Sequence, residues 1–288
     1  MQRGTKWMAR VAAAALAASV LAPGVAGATG ASGSHDRRQA NCVNNGYDRS
    51  LRVVVLTDDG ALACSDTRRP GRSGRSVPVT GLTGDTALVG IDYRPATGAL
   101  VGLGNQGGIY IVDPATGVAT NRVQLSETLS GNAFGVDFNP TVDRLRIVSD
   151  TGQNLRANPD TGMASPPDAP LSGPGVAGVG YTNNDADPNT ATTLYDIDTA
   201  ADQLSIQAPP NNGTLNPVGK LGVDTNAVVG FDIFSDLRRG TTEDVTAFAS
   251  LTVGGYSGLY EINLITGRAS HRGNFDVAVT DIAIPLDR

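Results

Sequence analysis

Short apolar stretches punctuate the chain at wide, similar intervals: LVGIDY ending at Tyr93, FGVDF ending at Phe138, AGVGY ending at Tyr181, VVGFDI ending at Ile233, and VTDIAI from Val279 to Ile284. Each is too short for a helix and rich in β-branched or aromatic residues, so each reads as a strand. In this alignment Asp92, Asp137, Asp232 and Asp281 share a register, and Gly180 stands where the middle copy lacks its acid. The steps between these positions are 45, 43, 52 and 49 residues. That is the length of a four-stranded propeller blade.

After each opening strand come a polar turn and two further strands, as in RLRIVSD and QNLRAN, with Asp113 to Gly117 and Asn158 to Gly162 as the best examples of a recurrent turn. Glycine supplies the positive φ of such turns, and Asp or Asn bonds back to the backbone. A fourth segment, such as RVQL or NPVGKL, is expected to complete each unit. Strands such as Ile109 to Val112 and Arg52 to Leu56 are apolar at consecutive positions, which means that both faces are covered. Leu51 to Leu82 has material for strands two to four but no opening strand, whereas VTDIAI opens a unit with nothing after it. Joined, they make one blade and protect the edge strands. The expectation is an all-β, five-bladed β-propeller closed by its C-terminal strand.

Arg3, Lys6 and Arg10 precede the apolar run VAAAALAASVLAP and the small residues Ala26, Gly27 and Ala28, the pattern of a secretory signal peptide over residues 1–28. Residues 29–40, rich in Gly, Ser and charge, read as a disordered leader, and residues 41–288 as a single domain. Cleavage changes the net charge from -6 to -9. An acidic chain with scattered arginines and the lone mature lysine Lys220 offers no footprint for nucleic acid, and no membrane span is expected after cleavage. Cys42 and Cys64, in an exported chain, are expected to pair as a disulfide.

The ordered set GIDYRPATGAL, GVDFNPTVDRLRIVSD and PPNNGTL resembles the bacterial family described as domain of unknown function 4394. The resemblance spans nearly the whole mature chain. It implies an exported bacterial repeat domain and carries over no activity and no functional residues.

The in-register acids Asp92, Asp137, Asp232 and Asp281 are the leading candidate for a channel or binding site, because opening strands line a propeller's axis. The competing reading makes them acceptors for backbone N–H groups of the adjacent blade. A glycoside or lactone hydrolase using these acids is the alternative function. The mature chain has only Glu127, Glu243 and Glu261, none on an opening strand, and loses its tryptophan with Trp7. Tyr93 and Tyr181 are the remaining ring platforms, although their register with Phe138 favours packing. His35 and His271 build no triad or metal set. Asp185, Asp187 and Asn189 space oxygen atoms as a calcium loop does, without its glycine and distal Glu, and calcium is the one cofactor considered. The leading function is a secreted binding module for an unknown protein or glycan ligand, and a structural envelope component is the third reading.

Overall fold

A computed structural model of the chain describes residue 42, and residues 50–287 apart from 167, 186 and 188. The signal segment and the leader lie outside the described residues. Among the described residues no helix is long and apolar enough to cross a membrane.

The strands run in chain order as expected. β1 (Arg52–Thr57), β2 (Ala61–Asp66) and β3 (Val77–Pro78) come first, followed by β4 (Leu88–Tyr93), β5 (Leu100–Gly104), β6 (Gly108–Val112) and β7 (Ala119–Gln124). The next group is β8 (Phe134–Asn139), β9 (Arg144–Ser149) and β10 (Asn154–Ala157), and then β11 (Val176–Tyr181), β12 (Leu194–Asp198), β13 (Gln203–Gln207) and β14 (Leu215–Lys220). Last come β15 (Val229–Arg238), β16 (Thr241–Val253), β17 (Tyr256–Ile262), β18 (Ala269–Asn274) and β19 (Val279–Ala283).

These form the five antiparallel sheets of a five-bladed propeller. Blade 1 is the composite: β19 pairs with β1 through Val54 with Ala283, Val55 with Ile282 and Leu56 with Asp281. Blades 2, 4 and 5 are the four-stranded sheets that start at β4, β11 and β15. The Cys42–Cys64 disulfide forms, with Cα atoms 5.8 Å apart, and ties residue 42 to β2.

Blade 3 departs from the expectation that a fourth segment completes every unit. Its sheet has three strands, and only an isolated bridge between Ala157 and Ala164 stands where the fourth would be. The reason is written in the next residues, Ser165-Pro166-Pro167-Asp168-Ala169-Pro170. Proline has no N–H to give to a ladder, so pairing stops there.

Consecutive apolar residues on a strand serve two different junctions. Val53 and Val55 pack with Phe248, Leu259 and Ile282 toward blade 5, whereas Val54 and Leu56 pack with Leu88, Ile91 and Tyr110 toward blade 2. Each of the five buried clusters fills one junction between blades. Only the outermost strands β7, β14 and β18 turn mostly to solvent.

The glycine of the G-x-D pattern has a steric explanation. A Cβ on Gly135 would stand 2.8 Å from the Val179 backbone nitrogen, and one on Gly230 would stand 2.5 Å from that of Ile282. Opening strands of adjacent blades approach so closely at the axis that only hydrogen fits. Gly135→Ala is therefore expected to destabilise the fold by about 1–3 kcal/mol, the usual cost of overpacking, measured as a lower melting temperature with unchanged circular dichroism at 20 °C; an unchanged melting temperature would remove the steric account.

Candidate functional site at the axis and its mouth

The four in-register acids converge on the axis. All are buried, and Asp92, Asp137 and Asp232 each place a carboxylate oxygen within 4.8 Å of the others. Each acid also reaches into the next blade. The Ile91 N–H donates to Asp281 Oδ2 at 2.7 Å, Phe138 N–H to Asp92 Oδ2 at 2.8 Å, Tyr181 N–H to Asp137 Oδ1 at 3.2 Å, and Ile284 N–H to Asp232 Oδ2 at 2.6 Å. Asp92 and Asp281 use their second oxygen for the N–H of the following residue, Tyr93 at 2.6 Å and Ile282 at 2.8 Å.

Four of the five blade junctions thus carry a carboxylate latch. The junction between blades 4 and 5 does not, since blade 4 has Gly180 at that position. A Cβ there would lie 3.1 Å from the Phe231 ring and 3.0 Å from Ile233, so packed apolar side chains occupy the space an acid would need.

Burial pushes all four carboxyls above the usual range. For Asp92 the charges of Asp232 and Asp281 add to it, and for Asp137 those of Asp92 and Asp232 do so. Asp281 is raised by burial and by Asp232, against the N–H groups of Ile91 and Ile282. Asp232 is raised by burial to about 6, against the pull of the Ile284 and Ile233 N–H groups. Such a cluster can hold shared protons or a hard cation with oxygen ligands.

The opening strands end at one face of the propeller, and that face is built up. β15 and β16 continue beyond Asp232 as a two-stranded ribbon whose register runs to Arg238 opposite Thr241. Its tip, Arg239-Gly240, has φ of 57° and 81°, as a tight hairpin turn requires. The loop between β11 and β12 fastens this ribbon: Asp185 Oδ2 accepts from the N–H and hydroxyl of Thr242 at 3.2 and 3.1 Å, and the Asn184 N–H donates to Ser235 Oγ at 2.9 Å. On the other side, the Leu237 N–H donates to Asp287 Oδ2 at 2.9 Å.

The acids considered for calcium are thereby engaged. Besides holding Thr242, Asp185 accepts from the Asp187 N–H at 2.9 Å, and Asp187 Oδ1 accepts from the Asn189 backbone and side chain at 2.9 Å. These are turns closed by side chains. Partial burial pushes the Asp185 carboxyl up, but hydrogen bonds from Asp187 and Thr242 outweigh it, and the net shift is down. Tyr93 and Tyr181 are buried between blades, so neither presents a ring to a sugar. His271 lies on β18, bonded to Asn274 and leaning on the Tyr260 ring at 4.9 Å.

Sequence reasoning passed over Arg146. It sits on β9 with 1% exposure and binds four side chains of blades 3 and 4 and their connections. Its Nε donates to Tyr181 Oη at 3.2 Å, Nη1 to Asn154 Oδ1 and Asp168 Oδ2 at 2.7 Å each, and Nη2 to Asn211 Oδ1 at 3.2 Å. Asp168 also takes a two-pronged contact from Arg156, at 2.7 Å for both bonds. The two most specific motifs, RLRIVSD and PPNNGTL, therefore meet in the seam between blades 3 and 4, away from the axis. A charged residue flanked by Leu145 and Ile147 in a buried strand was the available signal.

A family model described as domain of unknown function (DUF4394) matches residues 61–283. A comparison with curated proteins gave no match. Among solved structures, an auxiliary nutrient binding protein from Bacteroides ovatus ATCC 8483 is similar at 12% identity and TM-score 0.46 over 73% of this chain, which spans about half (51%) of that protein. The structure of a nidogen/laminin complex aligns at 11% identity and TM-score 0.46, covering 82% of this chain and 98% of the other. A putative exo-beta-1,3-galactanase from Bifidobacterium bifidum s17 aligns at 12% identity and TM-score 0.44, covering 78% and 88%. Likeness at this level carries no argument about function.

Two outcomes follow from the latches. Asn in place of Asp92 keeps one acceptor and turns an NH2 toward an N–H donor, so Asp92→Asn is expected to cost about 1–3 kcal/mol, read by denaturant unfolding; wild-type stability would end the latch account. Asp232 binds its proton more tightly folded than unfolded, so its contribution to stability is complete below pH 4 and lost as pH rises through about 6. The melting temperature is expected to fall between pH 4.5 and 7.5, and Asp232→Asn to flatten that fall; equal slopes in the two proteins would contradict the assignment.

Proposed function

The chain belongs to the DUF4394 family, and we propose that it is an exported binding module that recognises its ligand at the mouth formed by the ends of its opening strands. The observation that carries this reading is the fastened ribbon of β15 and β16. An extension beyond what blade pairing needs, held from both sides by Asp185 and Asp287, makes a rigid rim around one mouth. Loops on a rigid scaffold are where binding residues gather.

The proposed domain is residues 41–288, following a cleaved signal peptide over 1–28 and a leader over 29–40. The Cys42–Cys64 disulfide supports an oxidising, extracellular setting at or beyond a bacterial cell surface. In this reading Asp92, Asp137, Asp232 and Asp281 serve first as latches between blades, and the ligand is a protein or a glycan.

The hydrolase alternative has one observation in its favour, the raised proton affinity of the axial acids, which a general acid needs. Against it stand their burial and the backbone N–H groups that already occupy their oxygens. A substrate would have to displace the latches that hold the ring.

The test is thermal unfolding of the mature protein with a panel of polysaccharides and small glycans, with calcium and with chelator, since a ligand selective for the native state raises the melting temperature. A ligand at 100 times its Kd is expected to stabilise by about 2.7 kcal/mol, and shortening the ribbon tip by removing residues 237–242 is expected to abolish that shift while the protein stays folded. A shift that survives the deletion places binding elsewhere. A glycan processed during incubation, with loss of processing in Asp137→Asn, would favour the hydrolase.

A further inference from the structure

The seam between blades 3 and 4 has a second polar cluster beside Arg146. Asp196, on β12, is fully buried, and neither of its carboxylate oxygens has a hydrogen-bond partner among the described residues. Ser205 stands directly across from it on β13, and Gln207 follows two positions along on the same face. The Gln207 amide nitrogen donates to Asn154 Oδ1 at 3.1 Å and to the Pro210 carbonyl at 2.5 Å, which fixes the amide's orientation. Its oxygen is also buried and without a partner among the described residues.

Three acceptors therefore share a seam with no exposure to solvent. Diagonal neighbours across an antiparallel pair stand about 7–8 Å apart, so side chains at 196 and 207 can reach a common guest between them. Arg146 is close enough for its charge to act on Asp196: burial pushes that carboxyl well up, Arg146 draws it down, and Asp198 adds a smaller push. Among the described residues Arg146 Nη2 makes one hydrogen bond, to Asn211, of the two it can donate.

Two guests would satisfy acceptors of this kind, a metal cation or water, and charge decides between them. Arg146 and Arg156 share one carboxylate, Asp168, so this part of the seam carries one positive charge before Asp196 is counted. Burial pushes the Asp196 carboxyl toward its neutral form, so that positive charge stands. A metal cation would add to it, which is costly in a buried seam, whereas water leaves it unchanged. A water molecule also needs two to four polar partners, and Asp196, Gln207 and Arg146 provide acceptors and a donor on different sides.

We infer that Asp196, Gln207 and Arg146 form an internal binding site for one or two ordered water molecules. The site lies off the axis and is independent of whatever ligand the mouth takes. It joins the RLRIVSD and PPNNGTL motifs into one hydrated lock between blades.

A crystal structure of the mature protein at about 1.5 Å, where ordered water is visible, tests the site directly. Density for water within hydrogen-bond distance of Asp196 and Gln207 Oε1 is the expected result. A dry site, or a metal ion identified there by anomalous scattering and elemental analysis, overturns the inference. In solution, Asp196→Leu removes the acceptors that hold the water and is expected to lower the melting temperature by several degrees. If that variant does not fold, Asp196→Asn gives the same reading with a smaller loss. A higher melting temperature in Asp196→Leu or Asp196→Asn would mean that the acid is merely an uncompensated burial.

Discussion

Crowding at the axis governs this molecule. Five opening strands meet where a propeller is narrowest, and each must lie against its neighbours without leaving backbone N–H groups unpaired. The G-x-D pattern answers both demands from adjacent positions. Glycine at 135 and 230 lets one backbone approach the next to a distance no side chain permits, and the aspartate two residues on accepts an N–H from the following blade. Spacing and capture are therefore one device, and moving either residue would disable the other.

Much of this was legible in the sequence, because blade period, turn chemistry and strand composition all repeat. The count of five, the composite first blade and the Cys42–Cys64 pairing each rest on a local pattern that packing had no reason to override. The missing fourth strand of blade 3 was legible in principle, in the prolines around Asp168, yet the expectation of regularity outweighed them. The seam was harder to read. Arg146 is marked as buried by Leu145 and Ile147 on either side, but only tertiary placement shows that partners enclose it and that the Asp196 carboxylate has none among the described residues. The oxygen spacing of Asp185, Asp187 and Asn189 has a second reading, since alternate oxygens in a loop also build side-chain turns, and Asp185 and Asp187 do so.

The fold divides its polar interior into two kinds of chemistry. At the axis, carboxylates face one another and are held by neutral N–H donors, so their charge is opposed by burial and by each other. In the seam, one carboxylate, Asp168, is paired with two arginines, so opposite charges meet directly. The two regions consequently respond to different variables, proton concentration at the axis and substitution of single charges in the seam. Neither depends on the rim, where Asp185 and Asp287 bind a ribbon that blade pairing does not need.

The composite blade sets a condition on how the protein is made. β19 supplies the strand nearest the axis for a sheet whose other strands begin near residue 52, so nearly the whole sequence separates two partners in one ladder. Four blades can assemble as synthesis proceeds, but the first sheet waits for Val279 to Ala283 and stays open at the axis until they arrive. Asp281 lies on that strand and accepts the Ile91 N–H of blade 2, and Ile284 just beyond it donates its N–H to Asp232 of blade 5. The final strand thus completes a blade and two latches together, which makes the finishing of the ring a single cooperative event reserved for a chain that has been made through to its last repeat.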